Sequence, residues 1–219
     1  MKKIVVIAAA GVGNRLGLRL PKCLVRVNGF PIFLYQLKTF EKFDEVRMVV
    51  GYNAEEVIAA VSAVRSDVVF IRNNDFDSTT TLQSMYLGAQ GITGRALFID
   101  GDMILSRKTA EEIFSACERG HEFIGVASHI SEEPVYAGVE NNAVAWFSYE
   151  KKAEFEWANL AYIDCSKLEY NKTHFFVQLE KYLPIKAIEI ERIEVDTPAD
   201  LESTESAVRN NPGKFSCGG

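Results

Sequence analysis

The chain has 219 residues, 47% of them hydrophobic and 25% charged, and carries a net charge of −6 at pH 7. This composition predicts a single globular domain over residues 1–209 and a polar, flexible tail over residues 210–219. The acidic balance argues against nucleic-acid binding, and no apolar stretch is long enough for a membrane span. Four scattered cysteines without a C-x-x-C pair argue against structural zinc and favour a reducing, cytoplasmic location.

The first strand and the loop that follows it are the most informative stretch. A buried apolar strand over residues 4–7 leads into a run of small residues over 8–13. Small residues after a strand let backbone N–H groups approach an anion closely. Residues 1–40 hold seven Lys or Arg and no Asp or Glu, and Arg15 and Lys22 lie in the loop itself. This pattern favours a site for a small polyanion over a merely solvated loop.

Two well-known phosphate-binding loops do not fit this stretch. The Rossmann fingerprint G-x-G-x-x-G needs its third glycine one residue before Gly17, and no acidic residue lies near positions 31–35 to bind a ribose. A P-loop needs Ser or Thr after its lysine, but Lys22 is followed by Cys23. The loop therefore belongs to another class.

After this loop, short buried runs alternate with segments of helical spacing. The next predicted strands cover residues 46–50, 68–71, 95–99 and 123–128. The predicted helices cover residues 31–43, 54–64, 81–90 and 108–119. Pro31 opens the first helix, and Asn53 is the candidate cap of the second. The alternation predicts βαβ units and a mostly parallel sheet.

A polar loop, N-N-D-F-D-S-T-T over residues 73–80, follows the third predicted strand. In a parallel sheet, the loops at the carboxyl ends of the strands meet the ligand. The same residue types also cap helices and close turns. On its residues alone, the loop is explained equally well as a capped turn.

Two carboxylates flank a glycine where the strand over residues 95–99 ends, at Asp100-Gly101-Asp102. Oxygen ligands suit Mg²⁺, which usually takes one or two carboxylates together with substrate phosphates. The alternative is a turn that caps the following helix. The pattern favours a candidate metal site at this strand end.

Residues 134–163 change character and are rich in aromatic side chains. Asn141-Asn142 separates two strand-like runs over 135–140 and 143–149, which predicts a hairpin. Aromatic rings beside acids could hold an ammonium group by cation–π and charge contacts, although the rings could equally fill the core. The candidates for such contacts are Trp157, Tyr136, Tyr149, Glu154 and Glu156.

The C-terminal part predicts a helix over residues 166–182 and a last strand over 187–195. Asp196 lies at the end of this strand, before a helix that begins at Pro198. Helix capping alone could explain Asp196. The three histidines are isolated, and each is expected to be a surface or packing residue.

The motif A-A-G-x-G-x-R, followed by P-K with its lysine seven residues after the arginine, resembles a known nucleotide loop. It is typical of nucleotidyltransferases with a glycosyltransferase-A-like fold, and the short spacing is more like the cytidylyltransferase branches than the hexose-1-phosphate ones. In the polar loop, Asn73, Phe76, Thr79-Thr80-Thr81 and Ser84 resemble a pattern of the phosphocholine cytidylyltransferase group. The D-x-D at Asp102 and the D-T-P at Asp196 resemble that family's metal-binding motifs. The chain differs from the methylerythritol-phosphate cytidylyltransferases, which carry a D-A-A-R-P run in place of D-x-D.

The resemblance implies a fold and a role for each motif. The fold would be an α/β three-layer sandwich with a mostly parallel, Rossmann-like sheet and a β-rich acceptor-covering insertion over residues 134–163. Lys22 would stabilise charge at the α-phosphate, Arg15 would hold the outer phosphates, and Asp102 with Asp196 would bind Mg²⁺. The nucleotide-contacting residues would be Ala9, Ala10, Gly11, Val12, Gly13, Asn14, Asn73, Thr80, Ser84 and Asp100.

The reaction implied is Mg²⁺-dependent attack of an acceptor phosphate or phosphonate on CTP, with release of pyrophosphate. The acceptor would be phosphocholine, 2-aminoethylphosphonate or a similar small molecule of cell-surface polysaccharide or phosphonate biosynthesis. A sugar-1-phosphate with UTP, dTTP or CTP is the alternative within the class. A non-catalytic nucleotide-binding module or a D-x-D glycosyltransferase is the alternative outside it, although the cationic loop disfavours the glycosyltransferase. A homodimer is left open, and no nucleic acid or membrane partner is expected.

Overall fold

The computed structural model describes residues 2–13, 16–128 and 131–215. Its strands are β1 (Ile4–Ala9), β2 (Arg26–Val27), β3 (Phe30–Pro31), β4 (Glu45–Val50), β5 (Val69–Arg72), β6 (Arg95–Asp100), β7 (Met103–Leu105), β8 (Phe123–Ala127), β9 (Tyr136–Glu140), β10 (Ala143–Ser148), β11 (Phe155–Asp164), β12 (Ile185–Glu189) and β13 (Arg192–Glu194). Its helices are α1 (Ile32–Thr39), α2 (Ala54–Ser62), α3 (Thr81–Ala89), α4 (Arg107–Arg119), α5 (Phe175–Leu179) and α6 (Pro198–Asn210). Among these described helices, none is both long enough and apolar enough to cross a bilayer.

The central sheet and the helices on its two faces confirm the predicted α/β fold. Within the described residues, nine strands form one mixed sheet in the order β5-β4-β1-β6-β11-β8-β12-β10-β9. Strand β1 pairs in parallel with β4 and β6, and β4 pairs in parallel with β5, as expected for βαβ units. Val5 and Ile7 pack with α1, α2 and α4 on one face, whereas Ile4 and Val6 pack with α3 and α5 on the other. The sheet is therefore the middle of three layers.

The insertion predicted over residues 134–163 closes on itself. Asn141 and Asn142 both adopt positive φ angles, of 52° and 63°, as a tight hairpin turn between β9 and β10 requires. Strand β11 pairs with β6 and β8 and, through its first two residues, with β9. A register irregularity between Trp157 and Ala161 contains Asn159, whose φ is 52°. This bulge bends β11 as it passes beside the candidate site.

Two C-terminal predictions are wrong in detail. Residues 166–182 contain only the short helix α5 between two 3₁₀ turns, because local hydrogen bonds compete with a longer helix. The side chain of Asn171 accepts from the backbone N–H and the hydroxyl of Thr173, at 3.2 and 2.7 Å. The predicted strand over 187–195 is two strands, β12 and β13, separated at Ile190 and Glu191. The N–H of Ile190 donates to Val126 O in β8, and the N–H of Glu191 donates to Thr109 Oγ1 in α4.

The predicted cap of α2 also differs from the expectation. Asn53 precedes α2 but makes no side-chain capping bond, because its backbone is left-handed at φ 48°. In the segment assigned to a flexible tail, residues 211–215 pack on the domain. The N–H of Arg107 donates to Lys214 O at 2.8 Å, and Phe215 is only 5% exposed. Residues 216–219 lie outside the described part.

Candidate active site

A small two-stranded sheet brings two distant aspartates together. Strand β6 ends at Asp100, the chain turns through Gly101 and Asp102, and β7 begins at Met103. Strand β13 pairs antiparallel with β7, so that Glu194 lies opposite Met103. The N–H of the following residue, Val195, donates to Asp102 O at 3.3 Å. Asp196, which follows β13, therefore lies next to Asp102, although the two are 94 positions apart in the chain.

Lys22 joins these two aspartates through its ammonium group. Its Nζ donates to Asp102 Oδ2 at 2.6 Å and also to Asp196 Oδ1. Burial opposes the charge on Lys22, but the two carboxylates outweigh it and raise the pKa of the ammonium. Gly13 makes room for this side chain, because a Cβ on its left-handed backbone would lie 3.0 Å from Lys22 Cγ. Lys22, Asp102 and Asp196, which belong to three separate motifs of the sequence, are thus in contact.

The acids around Lys22 form a carboxylate cluster of Asp100, Asp102, Glu194 and Asp196. Burial raises the pKa of Asp100 well above its usual value, and the charges of Asp102 and Glu194 add to this effect. Burial also raises the pKa of Glu194 to about 7, against the opposing charge of Arg192. The Oδ1 atom of Asp100 is buried without a hydrogen-bond partner in the described structure. The site therefore gathers four carboxyl groups whose simultaneous ionisation is opposed by burial and by their mutual repulsion.

This excess of carboxylate oxygen fits a divalent cation. No group of three or more Asp, Glu, His or Cys among the described residues has the arrangement of a complete metal site. Mg²⁺ does not need one, since it usually takes one or two carboxylates and completes its shell with water and substrate phosphates. Asp102 and Asp196 are the two that could hold it, because both already converge on one cationic group.

A pocket opens beside the cluster, and we call it the phosphate pocket. It is lined by Ala8, Ala9, Gly11, Gly13, Lys22, Cys23, Thr81, Asp100, Gly101 and Asp102. Of the other predicted nucleotide contacts, Ala10 is buried and Val12 is half-buried outside the lining. Asn14 and Arg15 lie outside the described residues. Thr81 is a lining residue that the sequence analysis did not select, although it continues the polar run before α3.

Tyr52 holds the described part of the first loop at two points. Its backbone N–H donates to Ala10 O at 3.0 Å, and its hydroxyl donates to Arg19 O at 3.2 Å. Arg19 is left-handed at φ 50°. One residue between β4 and α2 thus connects the beginning and the end of the loop.

The polar loop over residues 73–80 is organised by a buried amide. Asn73 is 2% exposed, and its Nδ2 donates to Thr79 Oγ1 at 2.7 Å and to Ser84 Oγ at 3.0 Å. Asn73 and Ser84 therefore hold the loop on α3 and do not line the pockets. Thr80 caps the start of α3 in a capping box with Gln83, and it lines the second pocket described below.

The second pocket, which we call the aromatic pocket, adjoins the first and shares Thr81 and Asp100 with it. Its lining comprises Thr80, Thr81, Leu82, Met85, Asp100, Val135, Tyr149, Trp157, Asn159, His174, Phe175 and Phe176. Trp157 packs edge-on against Phe175 at 5.7 Å, and Tyr149 packs edge-on against Phe176 at 5.6 Å. His174 stacks on Phe176 with ring centroids 5.7 Å apart. None of these described lining residues is Lys or Arg.

Three of the five predicted acceptor residues do not line this pocket. Tyr136 lies in β9, and Glu154 is exposed. Glu156 is 1% exposed, and its carboxylate accepts hydrogen bonds from within the protein. Arg192 Nη2 donates to it at 3.1 Å, and the backbone N–H and the hydroxyl of Ser131 donate to it at 2.9 and 2.7 Å. The sequence missed His174, Phe175 and Phe176, and only the adjacent aromatic pair could have pointed to them.

Comparisons with known proteins agree on one family. A family model described as "MobA-like NTP transferase domain" matches residues 5–154. The bifunctional protein GlmU of Helicobacter pylori is 28% identical over 195 residues, covering 82% of this chain and 42% of that protein. The 2-C-methyl-D-erythritol 4-phosphate cytidylyltransferase of Leptospira interrogans is 28% identical over 142 residues, covering 60% of this chain and 57% of that protein. The chain thus spans less than two thirds of either relative.

A solved structure agrees over nearly the whole chain. The CTP:phosphocholine cytidylyltransferase LicC of Streptococcus pneumoniae superposes with a TM-score of 0.80, covering 95% of this chain and 100% of that chain. The two sequences are 18% identical, so the likeness establishes the shared fold.

Proposed function

The chain belongs to the MobA-like NTP transferase family, and from this premise we propose that it is a Mg²⁺-dependent cytidylyltransferase. It would join CTP to a small phosphorylated or phosphonate acceptor that carries an ammonium group, such as phosphocholine or 2-aminoethylphosphonate. One observation carries the proposal: Lys22 lines a phosphate pocket that adjoins an aromatic pocket, and it contacts both Asp102 and Asp196.

The bond changes need no general base. An acceptor oxygen, already ionised near neutral pH, attacks the α-phosphorus of CTP. The bond from that phosphorus to the α–β bridging oxygen breaks, and its electron pair leaves with pyrophosphate. Catalysis then depends on in-line positioning and on balancing negative charge. Scattered histidines are consistent with such a reaction.

The chain's own groups supply most of these effects. The glycine-rich backbone after β1 lines the phosphate pocket and binds the triphosphate through its N–H groups. Lys22 stabilises the charge that grows on the α-phosphate and orients it toward the acceptor. When bound by Asp102 and Asp196, Mg²⁺ supplies further charge neutralisation at the substrate phosphates. Asp100 and Thr81 line both pockets, and the two substrates would meet beside them.

The aromatic pocket supports an acceptor with an ammonium group. Aromatic faces attract cations within about 6 Å, and the pocket offers Trp157, Tyr149 and Phe176 without a described Lys or Arg to repel a cation. The resemblance of the polar loop over residues 73–84 to cytidylyltransferases, together with the short spacing of the first loop, supports cytidine as the base. The names of the Leptospira and Streptococcus proteins are both consistent with cytidine as the base, and the name of the Streptococcus protein is also consistent with an ammonium-bearing acceptor.

A pyrophosphate-release screen tests the proposal. CTP, UTP, dTTP, ATP and GTP are each combined with phosphocholine, phosphoethanolamine, 2-aminoethylphosphonate and several sugar-1-phosphates in the presence of Mg²⁺. We expect release with CTP and an ammonium-bearing acceptor, and none from Asp102→Asn. Release only with a sugar-1-phosphate would overturn the acceptor class and favour a sugar-1-phosphate nucleotidyltransferase. CTP binding with no release for any acceptor would favour a non-catalytic module.

A further inference from the structure

We propose that Gln36 is a positioning residue that fixes Asp102 and Asp196 relative to each other. The inference rests on the proposed roles of those two aspartates as metal ligands. Gln36 belongs to α1 and does not line either pocket. It is 2% exposed, so its contacts are protected from water.

One side-chain amide spans the turn that carries Asp102. The Nε2 of Gln36 donates to Asp100 O at 2.8 Å and to Met103 O at 3.2 Å. These two carbonyls lie immediately before and after Gly101-Asp102. On the β1 side, Gly101 N donates to Ala8 O at 2.9 Å. The turn is therefore hydrogen-bonded both to the sheet and to α1.

The orientation of the carboxamide follows from its partners. Both facing groups are carbonyl oxygens, which only accept, so the NH₂ side of Gln36 must face them. Its Oε1 is buried without a partner in the described structure. A buried carboxamide that leaves its acceptor unsatisfied is unfavourable unless its donors are needed. An apolar side chain of similar size would fill the same space without this penalty, which indicates that the two donated bonds are the reason for glutamine here.

The effect of Gln36 reaches the second aspartate through the backbone. Asp102 O accepts from Val195 N at 3.3 Å, and Val195 precedes Asp196. A shift of the Asp100–Met103 turn would therefore move both carboxylates and their shared contact with Lys22. Loss of groups that orient metal ligands typically weakens metal binding by about 10–100-fold.

Gln36→Met is the central test, because methionine keeps the length of the side chain and cannot donate. The readout is the dissociation constant of Mn²⁺, measured by electron paramagnetic resonance with the full chain in the presence of CTP. We expect this constant to rise by about 10-fold or more. Gln36→Glu, which keeps the shape but presents oxygens to the two carbonyls, should weaken binding at least as much. An unchanged constant in a folded Gln36→Met protein would overturn the proposal.

Gln178→Met is the matched control. Gln178 is also 2% exposed and also bonds a backbone segment, accepting from Glu169 N at 3.1 Å and donating to Glu169 O at 3.4 Å. It should lower thermal stability and leave the Mn²⁺ constant within about twofold. An equal loss of Mn²⁺ affinity in Gln36→Met and Gln178→Met would show that Gln36 contributes only to packing, and it would overturn the proposal.

Asp102→Asn separates this inference from the proposed function. If Asp102→Asn weakens Mn²⁺ binding and Gln36→Met does not, only the positioning role fails. If Asp102→Asn leaves the Mn²⁺ dissociation constant unchanged, the proposed metal role of Asp102 is wrong, and the positioning role that rests on it is wrong as well. Should Gln36→Met not fold, hydrogen exchange of the wild-type Gln36 carboxamide decides, because both of its hydrogens are donated to buried carbonyls. Slow exchange supports the role, and exchange as fast as that of an exposed glutamine overturns it.

Discussion

Thr81 and Asp100 are the two residues of the described chain that line both the phosphate pocket and the aromatic pocket. Thr81 begins α3, while Asp100 ends β6, so a helix start and a strand end meet there. A molecule in the phosphate pocket and a molecule in the aromatic pocket would touch at these two residues. This contiguity is what a transfer between two substrates requires.

Lys22→Ala should lower kcat by about 10²–10³-fold, because a preorganised positive charge at a developing phosphate charge contributes this much in other enzymes. The variant also leaves Asp102 and Asp196 facing each other without their shared ammonium. The measurement is steady-state pyrophosphate release at saturating CTP and acceptor. Lys167→Ala is the matched control, since Lys167 is a similarly covered lysine paired with Glu122 outside both pockets. Near-normal turnover of Lys22→Ala would contradict the assignment.

Tyr52→Phe should raise the KM for CTP several-fold with a smaller change in kcat. The substitution removes only the hydroxyl bond to Arg19 O and keeps the N–H bond to Ala10 O. A lost neutral hydrogen bond is worth about 0.5–1.5 kcal/mol, which corresponds to a change of about 2–12-fold. Tyr170→Phe, at an exposed tyrosine, is the control. Equal KM values for both variants would indicate that this bond does not organise the loop.

The elements of the N-terminal half could be predicted because local pattern and burial agree there. Strand β1 is buried on both faces and therefore has an uninterrupted apolar sequence, which is visible without any structure. The strand end at Asp100-Gly101-Asp102 is equally visible, since a glycine between two acids cannot continue a buried strand. Lys22, Asp102 and Asp196 belong to three separate motifs of the sequence, and the structure brings their side chains together.

The aromatic pocket could not be predicted in the same way, because it depends on long-range packing. The left-handed Asn159 interrupts the alternation of β11, so simple period-two counting fails beyond Trp157. His174 and Phe176 reach the pocket from a five-residue helix, which is too short to give a periodic signal. The sequence shows Glu156 only as an acid near aromatic residues, because its partner Arg192 lies 36 residues later and no local pattern links the two.

Tyr149→Leu should raise the KM for phosphocholine more than the KM for 3,3-dimethylbutyl phosphate, its uncharged isostere. Tyr149 is 59% exposed at the pocket rim, so the variant should fold normally. A cation–π contact at such a site is worth about 0.5–1 kcal/mol, or roughly 2–5-fold in KM. Comparing the two acceptors removes the part due to shape. An equal rise for both would show that Tyr149 contributes only apolar surface.

Glu156→Ala and Glu154→Ala should separate a structural acid from an exposed one. Glu156 is buried with Arg192, and removing one partner of a buried ion pair typically lowers the free energy of unfolding by about 3–5 kcal/mol. Glu154 is exposed, and its substitution should change that free energy by less than about 0.5 kcal/mol. Urea unfolding measures both, and the KM for the acceptor is measured alongside. If Glu154→Ala raises this KM, Glu154 contributes to acceptor binding from outside the lining. If Glu156→Ala leaves the protein as stable as wild type, then the buried pair with Arg192 does not support β11, and Glu156 would again be a candidate for the acceptor site.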